Sequence, residues 1–173
     1  MTAATESPTD WEPRRIHLYR PQNQLGDLLL TVPAIRAIRD RFRSARITLI
    51  VGSQNAAAVA GQPWADEIRI VPSRNLFGIL RVALAPGPRP DLAVYFTTVS
   101  YSKGGAYLVR ASGARERIGF EPARYGEGDR AGLTRPLPYP ERPLHQAEVS
   151  MILAAAVGAG PAPSPRGSPS TMM

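Results

Sequence analysis

Hydrophobic and polar positions change their period twice in the opening part of the chain. Ile16, His17, Leu18 and Tyr19 form a compact apolar run that ends at Arg20, as a short buried strand does. A polar loop from Arg20 to Asp27 follows, and from Leu28 the spacing turns helical. Leu28, Val32, Ile35, Ile38 and Phe42 make one apolar stripe. Ile47 to Val51 is then unbroken and β-rich, as expected of a parallel strand covered on both faces. Such a strand-loop-helix-strand unit puts its first loop at the carboxyl edge of a sheet, where open α/β folds bind ligands. Asp27 stands there, at the mouth of the helix.

The alternation continues. Gln54 to Ala60 reads as a short alanine-rich helix closed by Gly61, and Ile68 to Val71 as a third strand. Leu76 to Leu84 has helical spacing and stops before Pro86, Gly87 and Pro88. Leu92 to Phe96 is a fourth strand, followed by a polar loop from Thr97 to Lys103, a helix opened by Gly104-Gly105, and a fifth strand from Arg117 to Phe120. Glycine, proline and charge from Glu121 to Pro143 read as a long surface loop, with a short strand from Leu133 to Leu137 inside it. His145 to Val157 is a last helix carrying Val149, Ile152, Leu153 and Ala156 on one face. Helices alternating with strands predict a doubly wound parallel sheet. The expected organisation is a disordered arm over residues 1–14, one domain over 15–158, and a disordered proline- and serine-rich tail over 159–173.

Composition narrows the chemistry. A chain of 173 residues is long enough to bury roughly 70% of its unfolded surface in one core. It has no cysteine, which excludes disulfides, thiolate metal sites and a cysteine nucleophile. With His17 and His145 as its two histidines, an imidazole metal centre is not expected. The first residues lack the apolar segment of a signal peptide, and the longest apolar run is too short for a membrane span. A cytoplasmic protein is expected, with at most peripheral contact at the inner face of the membrane. The net charge of +7 is carried by arginine, Lys103 being the one lysine. Arginine favours phosphate and carboxylate partners. Nucleic acid is not expected, because aromatics are sparse and not interleaved with the arginines.

No glycine-rich dinucleotide fingerprint or Walker sequence is present. Asp27 is the main candidate for chemistry, as a carboxylate able to take a proton from an attacking hydroxyl. It would equally serve as a favourable charge in a helix's first turn. Gly26 before it would let a ligand approach the backbone. Ser100, Ser102 and Lys103, ahead of the amides of Gly104-Gly105, make either an anion nest or a plain turn. Arg36, Arg39 and Arg43 lie along one flank of the first helix, as phosphate ligands or as a solvated edge. His17 reads as structural and His145 as a helix-start residue.

In this order the segments resemble the amino-terminal half of the heptosyltransferases, glycosyltransferase family 9. The residues that carry it are Arg20, Leu25-Gly26-Asp27 and Thr31-Val32-Pro33-Ala34-Ile35-Arg36-Ala37. Arg46 to Gly52, Asp66-Glu67-Ile68, Ser112 to Phe120, Leu133 to Pro138 and the helix from His145 add to it. The loop before Leu25 is one residue longer than the family's usual form. The resemblance implies one half of a GT-B architecture, two Rossmann-like domains facing a cleft. It implies a metal-independent, inverting transfer of heptose from ADP-heptose to the inner core of lipopolysaccharide, with no bound cofactor.

The same resemblance implies Asp27 as the general base and makes Ser100, Lys103 and the arginines candidates for the phosphates of a glycolipid acceptor; with the loop residues above, the expected substrate-binding set is Arg20, Gly26, Ser100, Ser102, Lys103 and Gly104. The second, donor-binding domain is missing from the expected layout. A gene fragment, a frameshifted end or a split enzyme with a separate donor-domain chain would each account for that. A non-catalytic acceptor- or anion-binding remnant is the alternative. In a protein restored with a donor domain, replacing Asp27 by Ala is expected to lower turnover by about two to four orders of magnitude with little loss of stability.

Overall fold

A computed structural model describes residues 11–72, 76–83, 87–97, 102–121 and 132–160. Its strands are β1 (Arg15–Arg20), β2 (Arg46–Gly52), β3 (Glu67–Val71), β4 (Leu92–Tyr95), β5 (Glu116–Phe120) and β6 (Arg135–Leu137). Its helices are α1 (Leu25–Arg41), α2 (Ala56–Val59, after a 3-10 turn at Ser53–Asn55), α3 (Leu76–Ala83), α4 (Lys103–Ala111) and α5 (Gln146–Ala156). All six strands lie in one sheet of order β3-β2-β1-β4-β5-β6, and every pairing is parallel. The order runs outward in two directions from β1 and β4. The crevice at their carboxyl ends is therefore the switch point at which doubly wound sheets bind ligands.

Side-chain alternation along β1 divides the interior. Ile16 and Leu18 point to the face covered by α1 and α5, where they join Leu28, Ile35, Ile38 and Phe42 of the first helical segment and Val149 and Leu153 of the last. His17 and Tyr19 point the other way, toward α3 and α4, and Tyr19 packs with Ile50, Tyr95, Ala106 and Leu108. Arg20 belongs by parity with Ile16 and Leu18, so it enters the sheet face under the start of α1.

Several boundaries differ from those the sequence suggests. The helix read from Leu28 starts at Leu25, so Gly26 and Asp27 sit in its first turn and not in the loop. The segment read as a short strand within a surface loop supplies a sixth full sheet member, β6, paired with β5 through Ile118↔Arg135 and Phe120↔Leu137. Pro136 is tolerated in it because β6 is an edge strand with no second neighbour to receive an N–H. The domain also begins earlier and ends later than expected. Pro13 is buried, Trp11 packs against the core with the Arg115 guanidinium 4.9 Å above its ring, and Ala159 is fully buried. Residues 1–10 and 161–173 lie outside the described residues.

Gly105 shows how tightly α4 approaches the sheet. A Cβ there would collide with the Tyr95 hydroxyl and stand 3.0 Å from Pro21 Cγ, whereas at Gly26 it would meet nothing within 4 Å. Gly105→Ala should therefore lower stability by about 1–3 kcal/mol. Gly26→Ala, in an exposed helical turn, should be neutral or stabilise by up to about 1 kcal/mol. Urea midpoints of the two variants check the contrast, and equal effects would contradict it.

His17 is the other legible strain on the core. Burial first, and the Arg69 guanidinium second, lower its pKa to about 4, against about 6.5 in an unfolded chain. Between those values the unfolded chain binds more protons at His17 than the folded one, so this contribution to stability falls as pH drops from 6.5 toward 4. His17→Gln should flatten that part of the stability–pH curve by about 2 kcal/mol, allowing for partial exposure. Urea titrations of both proteins across the window measure it. Parallel curves would show that His17 does not titrate as described.

Candidate functional site

Arg20 ends β1 and Asp27 opens α1, and the two meet at the carboxyl edge. Arg20 Nη2 donates to Asp27 Oδ2 at 3.1 Å, with the arginine side chain 1% exposed and the aspartate 21%. Nη1 donates to Gln22 Oε1, a close contact within the same loop. Among the described residues the Nε has no acceptor. Burial pulls the guanidinium below its ordinary pKa, and the Asp27 charge opposes that pull. The pair thus has one buried cationic end and one carboxylate that reaches solvent. Held by Arg20, the Asp27 carboxylate is fixed in orientation and open on one side. That is the geometry of a group that can accept a proton from a bound hydroxyl. Open space at Gly26 lies beside it.

A cavity of about 490 Å³ opens at the same edge. Gln22 and Asn23 from the β1–α1 loop, Gln54 after β2, and Ser102 and Gly104 at the start of α4 supply its polar lining. The described lining is made of amides, a hydroxyl and apolar atoms, with no charged side chain. Such a surface offers both hydrogen-bond donors and acceptors, which suits a neutral polyhydroxylated group better than a phosphate. Among the described residues no three His, Asp or Glu side chains gather to hold a metal, and no helix is long and apolar enough to cross a membrane.

The structure brings the expected residues together in two groups. Arg20, Gly26 and Asp27 lie on the α1 side of the β1 end, and Ser102 and Gly104 line the cavity on the α4 side. Lys103 is the exposed first residue of α4, between two cavity residues but not itself in the lining. Ser100 lies outside the described residues. The anion nest expected at Gly104-Gly105 is partly spoken for. Ser102 Oγ accepts the Gly105 N–H at 3.2 Å as the helix cap, and Gly105 is there for the close approach of Tyr95.

Of the two readings left open for the arginine flank, the structural one has contacts to support it. Arg39 donates to Asp66 and, at 2.8 Å, to the Ala45 carbonyl; Arg43 donates to the Asp40 carbonyl. Arg39 sits at the far end of α1, about 18 Å of helix from Asp27 by the rise of 1.5 Å per residue, and Arg43 lies beyond the helix's last residue, Arg41. His145 caps α5: its Nδ1 accepts the Ala147 N–H, and Glu148 accepts the His145 N–H.

Gln22 and Asn55 are the residues that sequence reading missed. Gln22 touches Arg20 through its side chain, lines the cavity, and accepts the Asn55 Nδ2–H at its carbonyl, 2.8 Å away. Asn55 is fully buried, and its Oδ1 has no donor among the described residues. The signal was present in the amide-rich pieces Gln22-Asn23-Gln24 and Gln54-Asn55.

The asymmetry of the ion pair makes a sharp expectation. Asp27→Asn leaves a buried guanidinium uncompensated and should destabilise by about 1–3 kcal/mol. Arg20→Met removes the buried charge and leaves a carboxylate in reach of water, so its loss should be smaller. This replaces the expectation that Asp27 can be changed at little cost. Chemical denaturation gives both values, and the reverse ranking would contradict the pair's described burial.

No protein-family model matches the chain, and no curated protein matches its sequence. Solved structures match its fold. A glycosyltransferase of family 9 from Veillonella parvula DSM 2008 superposes with a TM-score of 0.72 at 18% identity, over 85% of this chain and 42% of its own. E. coli heptosyltransferase WaaC, solved with ADP, gives 0.64 at 16% identity, over 88% of this chain and 50% of its own. E. coli ADP-heptose lipopolysaccharide heptosyltransferase II gives 0.56 at 18% identity, over 86% and 44%. This chain spans about half the length of the structures it matches. It has the fold of one Rossmann-like half of a family 9, GT-B glycosyltransferase.

Proposed function

We propose that this chain is the acceptor-side domain of an inverting glycosyltransferase of the heptosyltransferase kind. The observation that carries the reading is the Asp27 carboxylate, oriented by the buried Arg20 at the carboxyl edge of a family 9-like sheet. The acceptor sugar would lie in the neutral cavity lined by Gln22, Asn23, Gln54 and Ser102, with its attacking hydroxyl toward Asp27. The exposed Lys103, at the N-terminus of α4, would face a phosphate on the acceptor.

In the transfer the acceptor oxygen forms a bond to the anomeric carbon as the bond to the diphosphate breaks. The hydroxyl proton passes to Asp27, and the nucleoside diphosphate leaves with the electron pair. Attack on the face opposite the leaving group inverts the anomeric centre. Arg20 acts on this step by holding the carboxylate, and Gln22 by holding Arg20; both are positioning residues. ADP-heptose as donor and a lipopolysaccharide inner-core glycolipid as acceptor follow from the family resemblance and from the heptosyltransferases among the structures of like fold. The same resemblance puts the donor on a second Rossmann-like domain, so turnover is proposed for the two-domain assembly. Catalysis needs the two reactants held in near-attack geometry and the leaving diphosphate met by positive charge or amide donors.

The test is transfer of labelled heptose from ADP-heptose to an inner-core glycolipid by this chain joined to a heptosyltransferase donor domain. Turnover is expected in the joined protein and not in the 173-residue chain alone. Asp27→Asn should lower turnover by about two to four orders of magnitude in protein shown by circular dichroism to be folded. Unchanged turnover in that variant would remove Asp27 as the base. Turnover by the chain alone would refute the need for a second domain.

A further inference from the structure

A second cavity, of about 210 Å³, lies at the opposite end of the sheet from Asp27 and on its other face. Its floor is the row Tyr19, Ile50 and Arg69, aligned across β1, β2 and β3 by strand register, with His17 beside Tyr19. Its far wall is the turn Gly87 to Pro90 that leads into β4, and Ser112 closes it where α4 ends. A sheet face under helices is ordinarily filled by aliphatic side chains. Here an imidazole, a phenol and a guanidinium stand where those would be.

These groups are fixed and not merely left over. His17 Nδ1 and Tyr19 Oη lie 3.2 Å apart, and Ser112 is held by its own bond to the Val109 carbonyl at 2.6 Å. Arg69 Nε donates to Glu67 at 2.6 Å, which anchors one edge of that guanidinium. Its Nη2 reaches to within 3.9 Å of where a Cβ on Gly87 would stand, at the cavity's far wall. Arg89 lies down on Gly113: a Cβ there would be 3.1 Å from Arg89 Cδ and 3.2 Å from its Nε. The Arg89 carbonyl accepts the Arg15 Nε–H at 3.0 Å.

The charges do not cancel. Among the described lining residues there are two guanidiniums and no carboxylate. Glu67 bonds Arg69 from outside the lining, and it is shared with Arg46. Asp91, the acid next in sequence to this wall, is occupied by the backbone amides of Arg14 and Arg15, at 2.8 Å and 2.9 Å. Arg89 has no carboxylate partner among the described residues.

We propose that this cavity binds a small oxyanion, a carboxylate or phosphate group on a compact apolar body. Arg69 and Arg89 hold the anionic head, and His17 and Tyr19 lie under it. Two guanidiniums lining one small cavity suit an oxyanion by charge-assisted hydrogen bonds. Val82, Leu108 and Pro88 give the remainder of the ligand an apolar surface. The volume admits a group of a few heavy atoms and excludes a nucleotide. The site stands apart from the proposed acceptor cavity and does not depend on that reading.

The protein's two histidines make the test direct. His17 lines the cavity, while His145 caps α5 on the other face of the sheet and serves as an internal control. The whole chain is titrated at fixed pH with inorganic phosphate, with benzoate and, for ionic strength, with sodium chloride, and the two imidazole signals are followed by NMR. A saturable movement of the His17 signal alone, at millimolar phosphate or benzoate, is expected. The anion that produces it identifies the head group. Arg89→Gln, at an exposed position, should weaken that response at least about tenfold, a change of about 1.4 kcal/mol, with the fold unchanged by circular dichroism. The proposal is overturned if neither anion moves His17 saturably, if both histidines move alike as they do with chloride, or if folded Arg89→Gln responds as the wild type does.

Discussion

β1 is paired on both edges and covered on both faces, and every side chain it carries has to be absorbed by something specific. Even-numbered positions from Ile16 to Arg20 meet α1 and odd-numbered positions meet α3 and α4. Two of them, Ile16 and Leu18, are absorbed by the core. Arg20 is not apolar, and at 1% exposure its charge is tolerable only because Asp27 and Gln22 meet it. The same requirement fixes the first turn of α1 over the end of β1 and leaves a carboxylate at the sheet's switch point. Stability and the candidate chemistry therefore share one contact. A change at Asp27 has to be read for its effect on folding before it is read for its effect on turnover.

The opposite face of β1 carries the complementary consequence. His17 and Tyr19 are too polar to be filled in by the eight-residue α3, and the space between them, Arg69 and the Gly87–Pro90 turn stays open. One strand thus organises a carboxylate site at its carboxyl end and a cationic pocket nearer its amino end. The two differ in charge, in location and in the kind of group each suits.

Much of this was legible in the sequence. The helical stripe Leu28, Ile35, Ile38 and Phe42 and the run Ile47 to Val51 carried the α/β alternation, because their burial follows directly from period. The strand order could not be read, since sequence separation does not say on which side of β1 a later strand pairs. The last short strand was legible too, but not its place at the sheet edge, which is what makes Pro136 harmless. In the site, Asp27 was visible by its place before a helical stripe, but its bond to Arg20 depends on the parity of β1 together with a helix that starts three residues earlier than the stripe. Gln22 and Asn55 were missed because amides carry no chemical signature until a cavity surrounds them. Between the two readings of Arg36, Arg39 and Arg43 the sequence could not choose: charge is conspicuous in sequence, and the edge of the sheet at which it stands is not.

The acceptor-domain reading is tested most directly by mapping where the acceptor lands. A lipid-free, phosphorylated inner-core sugar is titrated into the isotopically labelled chain, and backbone amide shifts are followed residue by residue. Binding in the proposed mode should move Gln22, Asn23, Gly26, Asp27, Ser102 and Gly104 together and saturably, leaving the Arg89 side still. Saturable shifts confined to the amino edge of the sheet, or none at the carboxyl edge, would contradict it.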